Sequence, residues 1–284
     1  FVFFSYLYLV LMLPFAHIGK LTPIDALFTS TSATCVTGLI VKITPEDFTL
    51  FGQSVLIILM QVGGIGYMSI VTLLFLIMKK NLNIHEKNMA KDSLNYSSNL
   101  DIQNLLKKVF IFTLLIELLG ITILTIRFSI TMPFFKALWH AIFHTVAAFN
   151  NAGFSSFRDN LVSYDHDFTV LMTVGILVIL GGLGYLVLVE LHYKFLRQRF
   201  MLSAHTKITL LGTFILIVSG MILFLALEWD RRGLFAETSW YYKLLNSFFL
   251  SINFRTSGFN SLDLSHLSDA SLFCSSIYMM VGGG

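Results

Sequence analysis

Apolar residues run almost unbroken over 1–19, 49–78, 107–128, 167–193, 208–227 and 270–284. A helix needs roughly 20 such residues to cross the hydrocarbon of a bilayer, so these stretches predict spanning helices, the first and last of them cut short. Three shorter apolar segments, 23–37, 134–150 and 240–255, lie between them. At about 15 residues each, they suit entering a membrane and returning better than crossing it.

The short segments repeat. Aligned without gaps, Ala26-Leu27-Phe28 through Thr37-Gly38-Leu39 matches Ala141-Ile142-Phe143 through Ala152-Gly153-Phe154 and Asn246-Ser247-Phe248 through Ser257-Gly258-Phe259. In each copy a Phe stands ten residues before a Gly that Leu or Phe follows, and the glycines are 115 and 105 residues apart. Gly63-Gly64-Ile65-Gly66, Gly181-Gly182-Leu183-Gly184 and Gly282-Gly283-Gly284 follow at 25, 28 and 24 residues. A fixed period of this kind is the signature of a repeated structural unit. The predicted fold is an all-α membrane protein of helix, pore-loop, helix units. Repeat 1 is expected over 1–80, a cytoplasmic connection over 81–106, repeat 2 over 107–195, a second connection over 196–207, and repeat 3 over 208–284, truncated in its second spanning helix.

Composition sharpens this reading. Of the 284 residues, 56% are hydrophobic and 12% charged, against about a quarter charged in soluble domains. Ten of the 19 Lys and Arg fall in residues 79–108 and 190–207, which the positive-inside rule places in the cytoplasm. The glycine turns then approach the opposite surface, where Asp159, Asp165, Asp167, Asp263 and Asp269 give connections that either attract cations or are simply solvated. Cys35 and Cys274 suggest neither a disulfide framework nor a metal site and are read as packing residues.

Glycine suits a turn that must aim backbone carbonyls at an ion, since it adopts positive φ and has no Cβ to stand in the way. The candidate ion-binding turns are Val36, Thr37 and Gly38; Asn151, Ala152 and Gly153; and Thr256, Ser257 and Gly258. Each short helix before them would direct its partly negative C-terminal end at the same place. One such glycine is more often a helix cap, but three with one flanking layout favour a filter. Four turns make a potassium-sized ring, so three imply a fourth copy around a pseudo-four-fold pore.

These residues carry a resemblance. Thr34-Cys35-Val36-Thr37-Gly38-Leu39, Gln61-Val62-Gly63-Gly64-Ile65-Gly66, Phe149-Asn150-Asn151-Ala152-Gly153-Phe154 and Asn253-Phe254-Arg255-Thr256-Ser257-Gly258-Phe259 resemble the Trk/Ktr/HKT superfamily of potassium transporters, and most of all the pore subunit of bacterial Ktr-type systems. The resemblance implies potassium uptake through a single-glycine selectivity filter, with Gly38, Gly153 and Gly258 as three of its four glycines. It further implies a homodimer among membrane lipids, multi-pass in the inner (plasma) membrane, gated by a cytoplasmic nucleotide-binding ring that holds the nucleotide. This chain then needs no cofactor of its own, potassium being the substrate. By the same resemblance Gly at the first turn favours potassium where Ser admits sodium, and Gly282, Gly283 and Gly284 begin a gating loop. The family's fourth turn and the pore-obstructing Arg of its last helix have no counterpart in these residues.

Other residues admit both a functional and a structural role. Glu117 is a mid-span carboxyl, placed equally well as an ion or proton site and as a hydrogen-bonded structural group. His140 and His144 stand four apart but lack a third zinc ligand, so a polar helix face is expected and no transition-metal site. The Gly-Gly-x-Gly motifs read as close helix packing, with unwinding as the alternative. Arg255 reads as a tether for the third turn or as a plain interfacial residue, and Lys79 to Lys108 as a partner-binding hairpin or as a contact for anionic lipid headgroups, the resemblance favouring the regulatory ring. A proton- or sodium-coupled carrier would need more intramembrane carboxylates, and an intramembrane enzyme would need a nucleophile and base or convergent metal ligands, which the motifs do not supply. No nucleic-acid contact is expected.

Overall fold

The computed structural model describes residues 8–66, 102–196, 201–230, 234–235 and 238–281. Eleven α-helices lie within them: α1 Tyr8–Leu11, α2 Pro23–Cys35, α3 Thr44–Asp47, α4 Leu50–Ile65, α5 Ile102–Phe128, α6 Phe134–Phe149, α7 Phe168–Gly182, α8 Tyr185–Leu196, α9 Ala204–Glu228, α10 Trp240–Thr256 and α11 Asp269–Val281. No strand occurs among the described residues. The fold is that of an all-helical membrane protein. Residues 107–128 and 204–228 are each long and apolar enough to cross a bilayer. Their rows of Leu and Ile, such as Leu115, Leu118, Leu119, Ile208 and Leu211, are 52 to 72% exposed, which is where hydrocarbon would replace water.

Helix starts follow from local chemistry. Thr22 and Asp25 form a capping box ahead of Pro23, Asp167 accepts from the amides of Thr169 and Val170, and Ser203 and Ser239 cap α9 and α10. The cap at Ser203 starts α9 a turn earlier than the expected 208.

The expected second spans of the first two copies, 49–78 and 167–193, are interrupted within the described residues, residues 67–78 lying outside them. Both stop at the last glycine of their motif: Gly66 and Gly184 each have φ +83°, and their amides donate back to Gly63 (3.2 Å) and Gly181 (3.4 Å). In the second copy α7 and α8 are bent by 100° at this break. The reason is backbone conformation, since left-handed φ ends a right-handed helix and glycine adopts it without strain.

Packing follows a repeated rule. Within each copy the short helix lies against the helix that follows its glycine: α2 on α4, α6 on α7, α10 on α11. Between copies, α4 packs on α6 and α7 on α10. One apolar core therefore joins Leu56, Leu59 and Met60 of α4 to Phe143 and Phe149 of α6, Val170 and Val174 of α7, and Phe249 and Ile252 of α10. A second gathers Phe224, Phe235, Leu250 and Phe254 within the third copy.

Candidate functional site

The three short helices converge at their C-terminal ends. A Cβ built on Gly38 would lie 2.9 Å from the Ala152 carbonyl oxygen and 3.4 Å from the Cα of Gly153. One on Gly153 would lie 2.7 Å from the Ser257 carbonyl oxygen and 3.0 Å from the Cα of Gly258, and one on Gly258 3.9 Å from the Cα of Gly38. The glycines, at φ +75°, +68° and +71°, thus sit together with no room for side chains between them. Carbonyls of neighbouring turns enter the same small space.

Two of the turns are built alike. In the first, the amides of Val36 and Thr37 donate to the carbonyls of Ala33 (3.4 Å) and Ser32 (3.0 Å); in the second, those of Asn151 and Ala152 donate to Ala148 (3.0 Å) and Ala147 (2.7 Å). This is the Schellman closure, and it needs a left-handed residue, which is Val36 in one copy and Asn151 in the other, both at φ 56°. Asn tolerates that conformation, whereas a β-branched Val holds about 1–3 kcal/mol of strain there. The first turn is braced further by Ser32, whose hydroxyl meets Thr37 Oγ1 (2.9 Å) and donates to the Leu39 carbonyl (2.7 Å).

The third turn departs from its sequence alignment. Helix α10 continues through Thr256, and Ser257 keeps φ −100°, so no left-handed residue precedes Gly258. Side chains replace the backbone closure: the Ser257 hydroxyl bonds Asn253 Oδ1, and Asn160 of the second copy donates to the Gly258 carbonyl (3.4 Å). Arg255 lies buried in the last turn of α10, where a cation complements the helix end.

The second-helix glycines bear directly on the site. A Cβ on Gly63 would lie 2.0 Å from the Thr34 carbonyl oxygen, and one on Gly181 1.7 Å from that of Phe149. Thr34 and Phe149 are both four residues before their turn glycines, so the same close approach recurs in both copies. Packing and helix interruption are both present in the Gly-Gly-x-Gly motif, on different glycines.

Behind the second turn, His144 is fully buried between the His140 carbonyl (2.8 Å) and the Ser155 hydroxyl (2.9 Å), and His140 meets Ser156 (2.7 Å). The histidines hold the loop that follows Gly153. Among the described residues no group of His, Cys, Asp or Glu is arranged to hold a metal ion. Sequence reasoning missed this brace, although two histidines four apart on α6 and a Ser-Ser pair after the turn were visible signals. Asp165 and Asp167 are occupied structurally, by Tyr242 (2.8 Å) and Arg127 (2.6 Å), rather than aimed at a mouth. Cys35, read as a packing residue, is instead exposed at the C-terminal end of α2. Gly282, Gly283 and Gly284, and most of the Lys79 to Lys108 segment, lie outside the described residues. A cleft of about 1030 Å³ lined by Gln53, Lys136, Trp139, His140 and Arg158 lies between the first two copies and does not include the glycine turns.

Residues 8–284 match the family of cation transport proteins described as TrkH. The chain is 38% identical over 275 residues to the Ktr system potassium uptake protein B of Bacillus subtilis (strain 168), covering 97% of this chain and 61% of that protein. It is 35% identical over 278 residues to the potassium/sodium uptake protein NtpJ of Enterococcus hirae, covering 96% and 60%. A crystal structure of the potassium transporter TrkH from Vibrio parahaemolyticus superposes with a TM-score of 0.69 at 14% identity, over 93% of this chain and 51% of that one. The chain spans about three fifths of the length of the curated relatives it matches.

Proposed function

Because this chain belongs to the TrkH family of cation transport proteins, we propose that the converging glycine turns form three quarters of a selectivity filter for monovalent cations, with potassium uptake as the activity of the whole protein. The observation that carries the reading is the contact of Gly38, Gly153 and Gly258, each at a left-handed turn at the end of a short helix. Carbonyl oxygens of Val36, Thr37, Asn151, Ala152, Thr256 and Ser257 and of the glycines would take the place of water around the ion. The helix ends add partial negative charge at the same point.

A fourth turn would sit against the first and third, completing the ring. In the first copy Leu39, Ile40 and Val41 are 47 to 62% exposed, whereas Phe154 and Phe259, which follow the other two glycines, are buried. The uncovered side of the first turn is therefore the natural place for it.

Several finer points belong to the same reading. The relatives named as parts of a Ktr system support a regulatory partner on the face rich in Lys and Arg, which would hold the nucleotide and act on the segment beginning at Gly282. A homodimer in the cell's inner membrane, multi-pass and surrounded by lipid, completes the picture. The named relatives are transporters rather than enzymes, which leaves the intramembrane enzyme without support. Sodium coupling remains the second reading, favoured by the name of the potassium/sodium relative.

The test is ion flux into liposomes holding the full-length protein. Potassium should move down its gradient faster than sodium, without a proton gradient. Absence of potassium flux from folded protein would overturn the reading, and flux that requires a sodium gradient would favour the second.

A further inference from the structure

We propose that Asn160, in the loop that leaves the second glycine turn, is a positioning residue for the third turn, and that with the Leu161 amide it fixes the Gly258 carbonyl relative to the second copy. The proposal rests on reading these turns as parts of a filter.

The third turn needs an outside hold. Gly258 is at φ +71°, but Ser257 before it, at φ −100°, supplies no left-handed closure, and glycine by itself restrains its peptide least of all residues. Consecutive carbonyls of this turn face different neighbours. A Cβ built on Gly153 would lie 2.7 Å from the Ser257 oxygen, whereas the Gly258 oxygen accepts from Asn160 Nδ2 at 3.4 Å. Two residues further on, the Asn260 carbonyl accepts from the Leu161 amide at 3.0 Å, and Asn260 Oδ1 accepts from Asn253 Nδ2 of α10 at 3.4 Å. Adjacent residues of one loop thus hold alternate carbonyls of the other, with Phe259 buried between them. The backbone bond is the shorter and carries the hold. The side-chain bond steers the carbonyl.

The geometry of Asn160 fits this role. It is left-handed, at φ 61°, a conformation that Asn tolerates better than most residues with a side chain. Its Oδ1 is buried without a hydrogen-bond partner among the described residues, so the amide is placed for its nitrogen, the one end that can face a carbonyl. The loop behind it is firm: Leu161 is fully buried, and the Phe157 ring lies 4.6 Å from that of His144 and 5.2 Å from that of Tyr164. Through His144 the loop is tied to α6, the helix that ends in the second turn. The position of the second turn is thereby passed to the third. A carbonyl oxygen has two lone pairs, so the Asn160 bond leaves one for an ion that Asn160 itself does not touch.

The experiment measures the potassium-to-sodium flux ratio of the full-length protein in liposomes, with folding followed by thermal melting in detergent. Asn160→Gly keeps the left-handed backbone without strain, removes the donor, and should lower the ratio about threefold, the size of one weak hydrogen bond. Asn160→Asp keeps the shape but turns an acceptor toward the Gly258 carbonyl, and should lower the ratio at least as far. Arg158→Ala, an exposed change in the same loop, should leave the ratio at the wild-type value. A wild-type ratio in folded Asn160→Gly and Asn160→Asp would overturn the proposal, as would an equal fall in Arg158→Ala, which would make any disturbance of the loop sufficient. Gly258→Ser separates the two levels of argument, with Gly38→Ser in its place if it does not fold. An unchanged ratio there defeats the filter reading, whereas a changed ratio there beside wild-type ratios in both Asn160 variants defeats the role of Asn160 alone.

Discussion

The guanidinium Nε of Arg127, at the end of α5, lies 2.6 Å from Asp167 Oδ2, while Oδ1 of the same carboxylate caps α7. This pair ties the first long helix of the second copy to the helix that follows its glycine turn. The third copy makes the same tie with other chemistry: fully buried Glu228 at the end of α9 accepts from the Ser268 amide (2.9 Å) and the hydroxyls of Ser268 (2.6 Å) and Ser271 (2.5 Å). In the first copy backbone does it, the Thr49 amide and hydroxyl donating to the carbonyls of Ala16 (3.1 Å) and Phe15 (2.6 Å).

Asp167→Ala should cost about 2 kcal/mol, since it removes a helix cap and strands a half-buried Arg. Asp167→Asn keeps the cap and should cost less. By contrast Arg158→Ala should change stability by about 0.5 kcal/mol or less, because its partner Glu46 and Arg158 itself are 47% and 77% exposed. Thermal melting of the three variants in one detergent checks the order.

Glu228→Leu should cost about 3 kcal/mol or more by leaving three donors facing an apolar group, whereas Glu228→Gln retains the accepting oxygen and should cost about 1 kcal/mol. Equal losses in the two variants would contradict the assignment of Oε1 as the shared acceptor.

Gly63→Ala and Gly181→Ala should each prevent normal assembly, because the added methyl would overlap the Thr34 and Phe149 carbonyls at 2.0 and 1.7 Å. Gly212→Ala, in α9 with nothing within 4 Å, should instead stabilise by about 0.4–1 kcal/mol. Size-exclusion profiles and melting temperatures distinguish the outcomes.

Gly38→Ser should lower the preference for potassium over sodium. Its φ of +75° strains any L side chain, and its Cβ would press on the Ala152 carbonyl at 2.9 Å. Relative fluxes in liposomes are the measurement, and an unchanged ratio in folded protein would remove Gly38 from the filter.

Much of this site was legible in the residue order. The turn glycines were found by spacing alone, because a left-handed turn after a short helix makes a local demand that glycine meets. The histidine brace and the left-handed Val36 were not found, since the first depends on a loop folding back over α6 and the second on how α2 closes. Gly66 and Gly184 were seen, but whether they pack or interrupt a helix has no signature in hydropathy, where 49–78 and 167–193 look like continuous spans.

The sequence by itself determined the helical membrane class, the three copies, and which residues need glycine backbone, because each is a local property of composition, period or conformation. Tertiary structure alone decided that the three turns touch, that the third closes by side chains instead of a left-handed residue, and that Asn150 donates to Gln61 across α6 and α4. Those facts depend on how α2, α4, α6 and α10 cross, and crossing is set by packing between segments up to 220 residues apart, which no local pattern encodes.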